Sequence, residues 1–338
     1  MSDKHDPEFE KMLTKALGTT ADDQIDRAVA EDIVPDTNVP AGHKSGFVAV
    51  IGKPNVGKST LMNQILGEKV AIVSPKPQTT RIRQLGILTR EDAQIIFVDT
   101  PGIHRAQDEL GGFMVEVAKA ALEGADVILF LTDASETPTA IDRQVAAYVK
   151  QVSDHSKVIH VLNKVDAQPK PDQFQKDYDL HRALLPEVEL ISTVATQGHN
   201  VPLLLEKILE RLPEGPRYYP PDQVSDLSMR SIVGEMIREQ VLKFTYQEIP
   251  YAIAVDVEQF KQRKAGLIYI AATIYTERES QKKIIIGKKG EMLKQISSAA
   301  RQDIETFLES KVFLEVWVKV LPDWRRDPEA LKRFGYKL

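Results

Sequence analysis

The run GKPNVGKS at 52–59 spaces a glycine, four residues and Gly-Lys-Ser as a phosphate-binding loop does. Gly52 and Gly57 let the turn through Lys53, Pro54, Asn55 and Val56 curl, so that backbone N–H groups point inward at phosphate oxygens. The apolar run FVAVI (47–51) precedes it, and a helix-like run through Thr60 follows, whose N-terminus adds partial positive charge. Lys58 would then reach the β- and γ-phosphates, and Ser59 would offer its hydroxyl to Mg2+. Further on, Asp99, Thr100, Pro101 and Gly102 close a second apolar run. There Asp99 would hold Mg2+ through water, and the Gly102 N–H would meet the γ-phosphate. NKVD at 163–166 would select the base. Asp166 offers two adjacent carboxylate acceptors to the N1–H and N2 donors of guanine, a pair that adenine lacks. Asn163 would contact the base or buttress the phosphate loop, and the Lys164 stem would pack over the purine plane. The expected ligands are GTP and GDP with Mg2+.

Hydrolysis has no obvious general base here. Many GTPases place a glutamine just after this Asp-x-x-Gly to orient the attacking water, but this chain has Ile103. His104 is the nearest polar candidate. Catalysis is therefore expected to rest on positioning and on charge compensation by Lys58 and Mg2+, and to be slow without a partner.

A second chemistry lies near the C-terminus. GKKG at 287–290 sits between two helix-like runs and matches the loop with which KH domains clamp about four nucleotides of single-stranded RNA. Gly287 and Gly290 would let the strand approach, Lys288 and Lys289 would meet its phosphates, and Lys282, Lys283 and Lys294 would extend the positive track. Ile284–Ile286 would form an apolar floor for bases, or would be core packing.

These residues need elements to hold them. From 46 to 212, apolar runs at 47–51, 84–89, 94–99, 127–132, 158–163 and 188–192 alternate with helical stretches near 58–66, 113–123, 139–151, 172–185 and 201–212. That pattern predicts an α/β domain with a mainly parallel sheet covered on both faces. A proline-rich stretch (212–226) reads as a linker. The order then becomes helix (229–245), strands (251–260, 267–276), a short helix (280–286), a longer helix (290–308) and a strand (312–321), an α+β domain with type II KH order. The expected division is an acidic, disordered leader (1–44) with a short helix over Pro7–Leu17, a G domain (45–212), a linker (213–228) and a KH domain (229–338).

The 338-residue chain has no cysteine, which excludes a disulfide scaffold and thiolate metal sites. It has no apolar run of the roughly 20 residues needed to span a bilayer and no signal-peptide pattern, so a cytoplasmic protein is expected. The net charge of −5 hides a sorting, with ten acidic against five basic residues in 1–44 and fifteen against twenty in 229–338. The basic third hints at a polyanion partner or is a solvated face. A P-loop ATPase or nucleotide kinase is opposed by NKVD. A non-hydrolysing RNA adaptor is opposed by the intact Lys58, Ser59 and Asp99. A membrane-signalling GTPase is permitted by the basic third.

From about Gly46 to the C-terminus the chain resembles the Era family, within the translation-factor class of GTPases. The resemblance rests on GKPNVGKSTLMNQILG, QTTR (78–81), DTPGIH, NKVD and YYPPDQVSD followed by IREQ. It implies that QTTR is switch I, with Thr79 or Thr80 capping the Mg2+ of the GTP state. It implies that Asn55 stands where related GTPases hold K+, although a turn asparagine reads the same way. The family's base-clasping Ser-Ala is Val194-Ala195 here, leaving the Ala195 N–H to face the guanine oxygen. The resemblance further implies binding at the 3′ end of small-subunit (16S-type) ribosomal RNA and a role in 30S assembly. It also implies peripheral contact with the inner membrane, with no DNA partner and a monomeric state expected.

Overall fold

The computed structural model describes residues 35–336 except 69, 74–75, 77–78, 104–107, 152–153, 169–170 and 264–265. The Pro7–Leu17 helix, Gln78 and His104 lie outside the described residues.

The first sheet contains β1 (Lys44–Gly52), β2 (Gln84–Thr89), β3 (Ala93–Asp99), β4 (Val127–Asp133), β5 (Val158–Asn163) and β6 (Glu189–Thr193). Their spatial order is β2-β3-β1-β4-β5-β6, and only the β2–β3 pair is antiparallel. Successive side chains alternate between the two faces. Val48, Val50, Leu129 and Leu131 pack under α1 (Lys58–Leu66) and α5 (Val201–Arg211). Their neighbours Ala49, Ile51, Ile128 and Phe130 pack under α2 (Glu109–Glu123) and α3 (Ala140–Val149). Both faces are thus buried, which is why the strands read as continuous apolar runs. Helix α4 (Phe174–Arg182) precedes β6. The register pairs Val50 with Asp99, Gly52 with Leu131 and Asp133 with Asn163, so β1, β3, β4 and β5 end at one rim. Ligands of open α/β sheets bind at that carboxyl rim.

The proline-rich stretch is bonded along the sheet rather than hanging free. Gln94, fully buried, accepts from the N–H groups of Tyr218 (2.7 Å) and Tyr219 (2.9 Å) and donates to the Tyr219 carbonyl (2.8 Å). Ser45 donates to the Pro216 carbonyl (2.5 Å), and the Leu85 N–H donates to Asp226 (2.9 Å). Prolines supply no N–H to a structure of their own, so these remaining groups find partners on the neighbouring strands.

The second sheet has order β7-β8-β9, from Ala254–Gln262, Leu267–Thr276 and Lys311–Val320, with β7–β8 antiparallel and β8–β9 parallel. Helices α6 (Met229–Phe244), α7 (Glu279–Ile286) and α8 (Glu291–Leu308) cover one face through Val233, Ile237, Ile285, Ile296 and Ile304. This is the KH arrangement expected from the element order. Beyond it lie a turn at Trp324–Arg326 and α9 (Pro328–Arg333), which the sequence pattern did not signal. Trp324 is fully buried and packs with Leu110 and Met114 of α2, joining the chain's end to the first domain.

Candidate functional site: a nucleotide cleft and a lysine loop

The GKPNVGKS turn caps the end of β1 and leads into α1. Gly57 adopts φ 103°, and a Cβ there would lie 2.3 Å from Asn163 Nδ2. Only glycine allows this approach. Asn163 in turn donates from Nδ2 to the Val56 carbonyl (2.8 Å), so of its two expected roles it performs the buttressing one. Its Oδ1 accepts from Thr193 Oγ1 (3.1 Å) and from the Ala195 N–H (3.0 Å). The Ala195 N–H, expected to face guanine, is therefore engaged by Asn163, because Asn163 reaches across from the adjacent strand.

Lys58 is buried, and its Nζ donates to the carbonyls of Gly52 (3.2 Å) and Lys53 (3.0 Å). Burial pulls its pKa down to about 8, opposed by the charge of Asp99. Burial raises the Asp99 carboxyl, while Lys58, Ser59 and Thr80 oppose that shift. Ser59 Oγ donates to Asp99 Oδ2 (2.7 Å), Thr80 Oγ1 donates to the same oxygen (3.2 Å), and the two hydroxyls are 3.0 Å apart. Asp99 Oδ1 is buried with no hydrogen-bond partner. A carboxylate with a free oxygen beside two hydroxyls is a hard-oxygen donor set that fits Mg2+.

Both threonines line the cleft: Thr80 Oγ1 points at Asp99, and Thr79 Oγ1 donates to the Lys76 carbonyl (2.6 Å). Three other residues expected at the ligand turn their side chains elsewhere. Ile103 is fully buried in the core with Ala49, Phe130 and Ala118, and only its N–H reaches the loop, at the Gly52 carbonyl (3.2 Å). Thr100 donates to the Val50 carbonyl (2.8 Å). Lys53 binds Asp142 (2.6 Å) and Glu136 (2.9 Å); these bonds raise its pKa against the opposing effect of burial.

Asn55 (φ 67°), Pro54, Thr60, Gly102 and Lys164 line the open cleft beside Lys58. Lys164 Nζ bridges from the NKVD loop to the Asn55 carbonyl (2.7 Å) and to Asp133 (2.6 Å). Asp166, two residues beyond Lys164, is exposed, and Gln197 Nε2 donates to it (3.3 Å). Pro101 is buried behind Gly102. Asp133 and Thr193 were not anticipated, although both stand at strand ends on the binding rim, and that position was their available signal.

In the second domain GKKG connects α7 to α8. Gly287 has φ 73°, and a Cβ there would sit 2.6 Å from Met292 Cβ. Lys283, Lys288, Lys289 and Lys294 are exposed, while Lys282 is half-buried, 4.0 Å from Glu279. The isoleucine triplet is split by the roughly 100° turn per helical residue. Ile285 is fully buried, Ile284 is exposed and Ile286 is half-buried, so the expected apolar floor reduces to parts of two residues.

Segments of the two domains interlock at QTTR. Arg81 is buried and donates to the carbonyls of Ile253 (2.6 Å), Tyr251 (3.0 Å) and Pro250 (3.1 Å). Arg238 of α6 donates to the Thr79 carbonyl, and Lys76 donates to those of Leu242 and Thr245.

A family described as "50S ribosome-binding GTPase" matches residues 47–164, and the KH domain family matches 248–325. A crystal structure of Era with MgGDPNP and nucleotides 1506–1542 of 16S ribosomal RNA is 44% identical, with a TM-score of 0.83. The match covers 88% of this chain and 100% of that one. A tyrosine-to-alanine variant of Aquifex aeolicus Era bound to GDP and AlF4− is also 44% identical at a TM-score of 0.83, covering 87% and 100%.

Proposed function

Since this chain belongs to the Era family of GTPases with a C-terminal KH domain, we propose that it is a GTP-hydrolysing switch acting on small-subunit ribosomal RNA. It binds single-stranded RNA near the 3′ end of 16S-type RNA through GKKG and acts in 30S subunit assembly. The observation that carries this reading is the joint placement of Thr80 on Asp99 and of its neighbour Arg81 on the KH domain, which ties the nucleotide cleft to the RNA-binding fold. The matching family description refers to the 50S subunit. The likeness to Era across nearly the whole chain supports the 30S reading instead.

Lys58 would compensate phosphate charge and the loop amides would orient the phosphates, while Ser59, Asp99 and Thr79 or Thr80 would hold Mg2+, which would supply charge neutralisation there. Lys164 covers the purine and Asp166 reads it. Asn55 would hold K+ beside the phosphates, and replacing K+ by Na+ should then slow wild type but not Asn55→Ala. The functional division is a leader (1–44), G domain (45–212), linker (213–228) and KH domain (229–338). The protein works as a monomer in the cytoplasm, with peripheral contact at the inner face of the membrane. No helix among the described residues is long and apolar enough to cross a membrane.

The test is RNA binding against salt for wild type and Lys288→Glu/Lys289→Glu, with GTP or GDP. Two lost phosphate contacts lower the salt slope by about 1.4, while GTP affinity without RNA stays unchanged. The GTP form binds RNA more tightly. Wild-type binding by the double variant at all salts would remove GKKG as the RNA site. Equal RNA affinity with GTP and GDP would remove the switch.

A further inference from the structure

Helices α6, α7 and α8 cover one face of the second sheet, while the C-terminal α9 covers only the Ala254 and Tyr275 end of the other. On the rest of that second face, edge strand β9 presents Phe313 at 49% exposure and Trp317 at 61%. Large apolar side chains so open on one strand face are unusual unless something covers them. Phe313 is paired across to Tyr269 of β8 in the strand register, with ring centroids 6.0 Å apart and planes 20° from parallel. The Arg263 guanidinium lies 4.0 Å above the Tyr269 ring. The face thus carries a cation–aromatic–aromatic stack, with a free indole four residues along β9.

We propose that this outer sheet face is a second RNA site, a stacking platform for single-stranded bases that continues the strand held by GKKG. The inference rests on the RNA-binding reading above. A KH loop clamps about four nucleotides, and a ligand from the 3′ end of ribosomal RNA continues beyond them. Strand β9 belongs to both surfaces, with Val312 in the core beneath α7 and α8 and the alternate residues Phe313 and Trp317 outside. The two helices that GKKG joins both pack against β9, so that strand is shared by the two surfaces.

Charge selects the occupant. Lys261, Arg263, Lys311 and Lys319 lie on or beside this face. Its acids are engaged internally: Glu315 accepts from the Tyr269 hydroxyl, Glu258 from Thr273 (2.7 Å) and Lys319 (3.4 Å), and Asp256 from Arg333 (3.2 Å). Cations beside open ring faces match a backbone of phosphates carrying stackable bases. An apolar protein partner or a lipid surface would instead have to desolvate those charged groups.

The chain has two tryptophans, and Trp324 is fully buried, so a change in emission on RNA binding reports on Trp317. The experiment titrates full-length protein in its GTP-analogue state with two oligoribonucleotides from the 16S 3′ end, one of about four nucleotides and one about six longer. The longer RNA quenches Trp317. Trp317→Ala weakens the longer RNA about five- to tenfold, leaves the shorter RNA within twofold, and keeps the melting temperature because the side chain is exposed. Trp317→Phe restores most of the loss. Equal affinity of Trp317→Ala and wild type for the longer RNA overturns the platform, as does an equal loss for both RNAs. So does a Trp317-dependent self-association or vesicle binding with RNA unaffected. Lys288→Glu/Lys289→Glu separates the two readings: if it binds both RNAs like wild type, the GKKG assignment fails, whatever Trp317 does.

Discussion

Thr80 and Arg81 are neighbours in the chain but are bonded to different domains. Thr80 Oγ1 lies 3.2 Å from Asp99 Oδ2 in the nucleotide cleft, and Arg81 Nη1 lies 2.6 Å from the Ile253 carbonyl under β7. A shift of one drags the other, since a single peptide unit joins them. In the proposed switch, a rearrangement around the γ-phosphate would thereby be felt by the fold that carries GKKG.

Replacing Arg81 with methionine leaves the carbonyls of Pro250, Tyr251 and Ile253 without their shared donor. The expected loss of unfolding free energy is about 2–4 kcal/mol. RNA should then no longer change the GTP hydrolysis rate, while GTP affinity without RNA stays within about tenfold. Chemical denaturation and hydrolysis with and without RNA check both parts. A variant that keeps its full RNA response would show that coupling runs elsewhere.

Asp166→Asn sets a donor against the guanine donors. GTP binding should weaken by at least ~2 kcal/mol, with xanthosine triphosphate partly rescuing it. Because Asp166 is exposed and its partner in the structure is Gln197, folding should be untouched. Isothermal titration with both nucleotides decides, and unchanged GTP affinity would refute the base-reading role.

Burial that lowers Lys58 to about 8 makes nucleotide binding dependent on protons. Phosphate needs the charged lysine, so above pH 8 binding must first take up a proton. Affinity for GTP should fall about tenfold per pH unit above 8, and Lys58→Met should show a flat profile. In the nucleotide-free protein the sign is opposite. Between pH 8 and the ordinary 10.5 the folded state holds fewer protons than the unfolded chain, so this group adds stability as pH rises. Titration in buffers of different ionisation enthalpy measures the proton uptake.

Ile103→Ala should act on stability rather than chemistry. The side chain is fully buried beneath α2 and α3, so truncation should cost about 2–4 kcal/mol. Single-turnover hydrolysis by the folded fraction should stay within about tenfold of wild type, roughly 1.4 kcal/mol of barrier. A thousandfold loss would give the side chain a catalytic part that its burial does not suggest.

The nucleotide motifs, both sheets and the helices of the KH domain were legible because each depends on short-range signals. Gly52, Gly57, Gly287 and Gly290 mark turns, apolar runs mark buried strands, and Lys58 and Asp166 carry chemistry that few other side chains supply. The sequence by itself also determined that Asn163 belongs near the cleft, and the family resemblance implied the same of Thr79–Thr80. Neither could assign their atoms. Whether Asn163 meets base or loop, and which threonine meets Asp99, depends on how separate strands align, and nothing within one segment encodes that alignment. The same holds for Arg81 and Arg238, which read as ordinary cations until carbonyls from a segment about 170 residues away close on Arg81 and Thr79 on Arg238. The tail from Trp324 onward gave no periodic pattern because it is held by the aromatic cluster it enters. Tertiary structure alone decided these points, because burial and hydrogen-bond partners come from residues distant in sequence, whereas turn chemistry and apolar alternation are written along the chain.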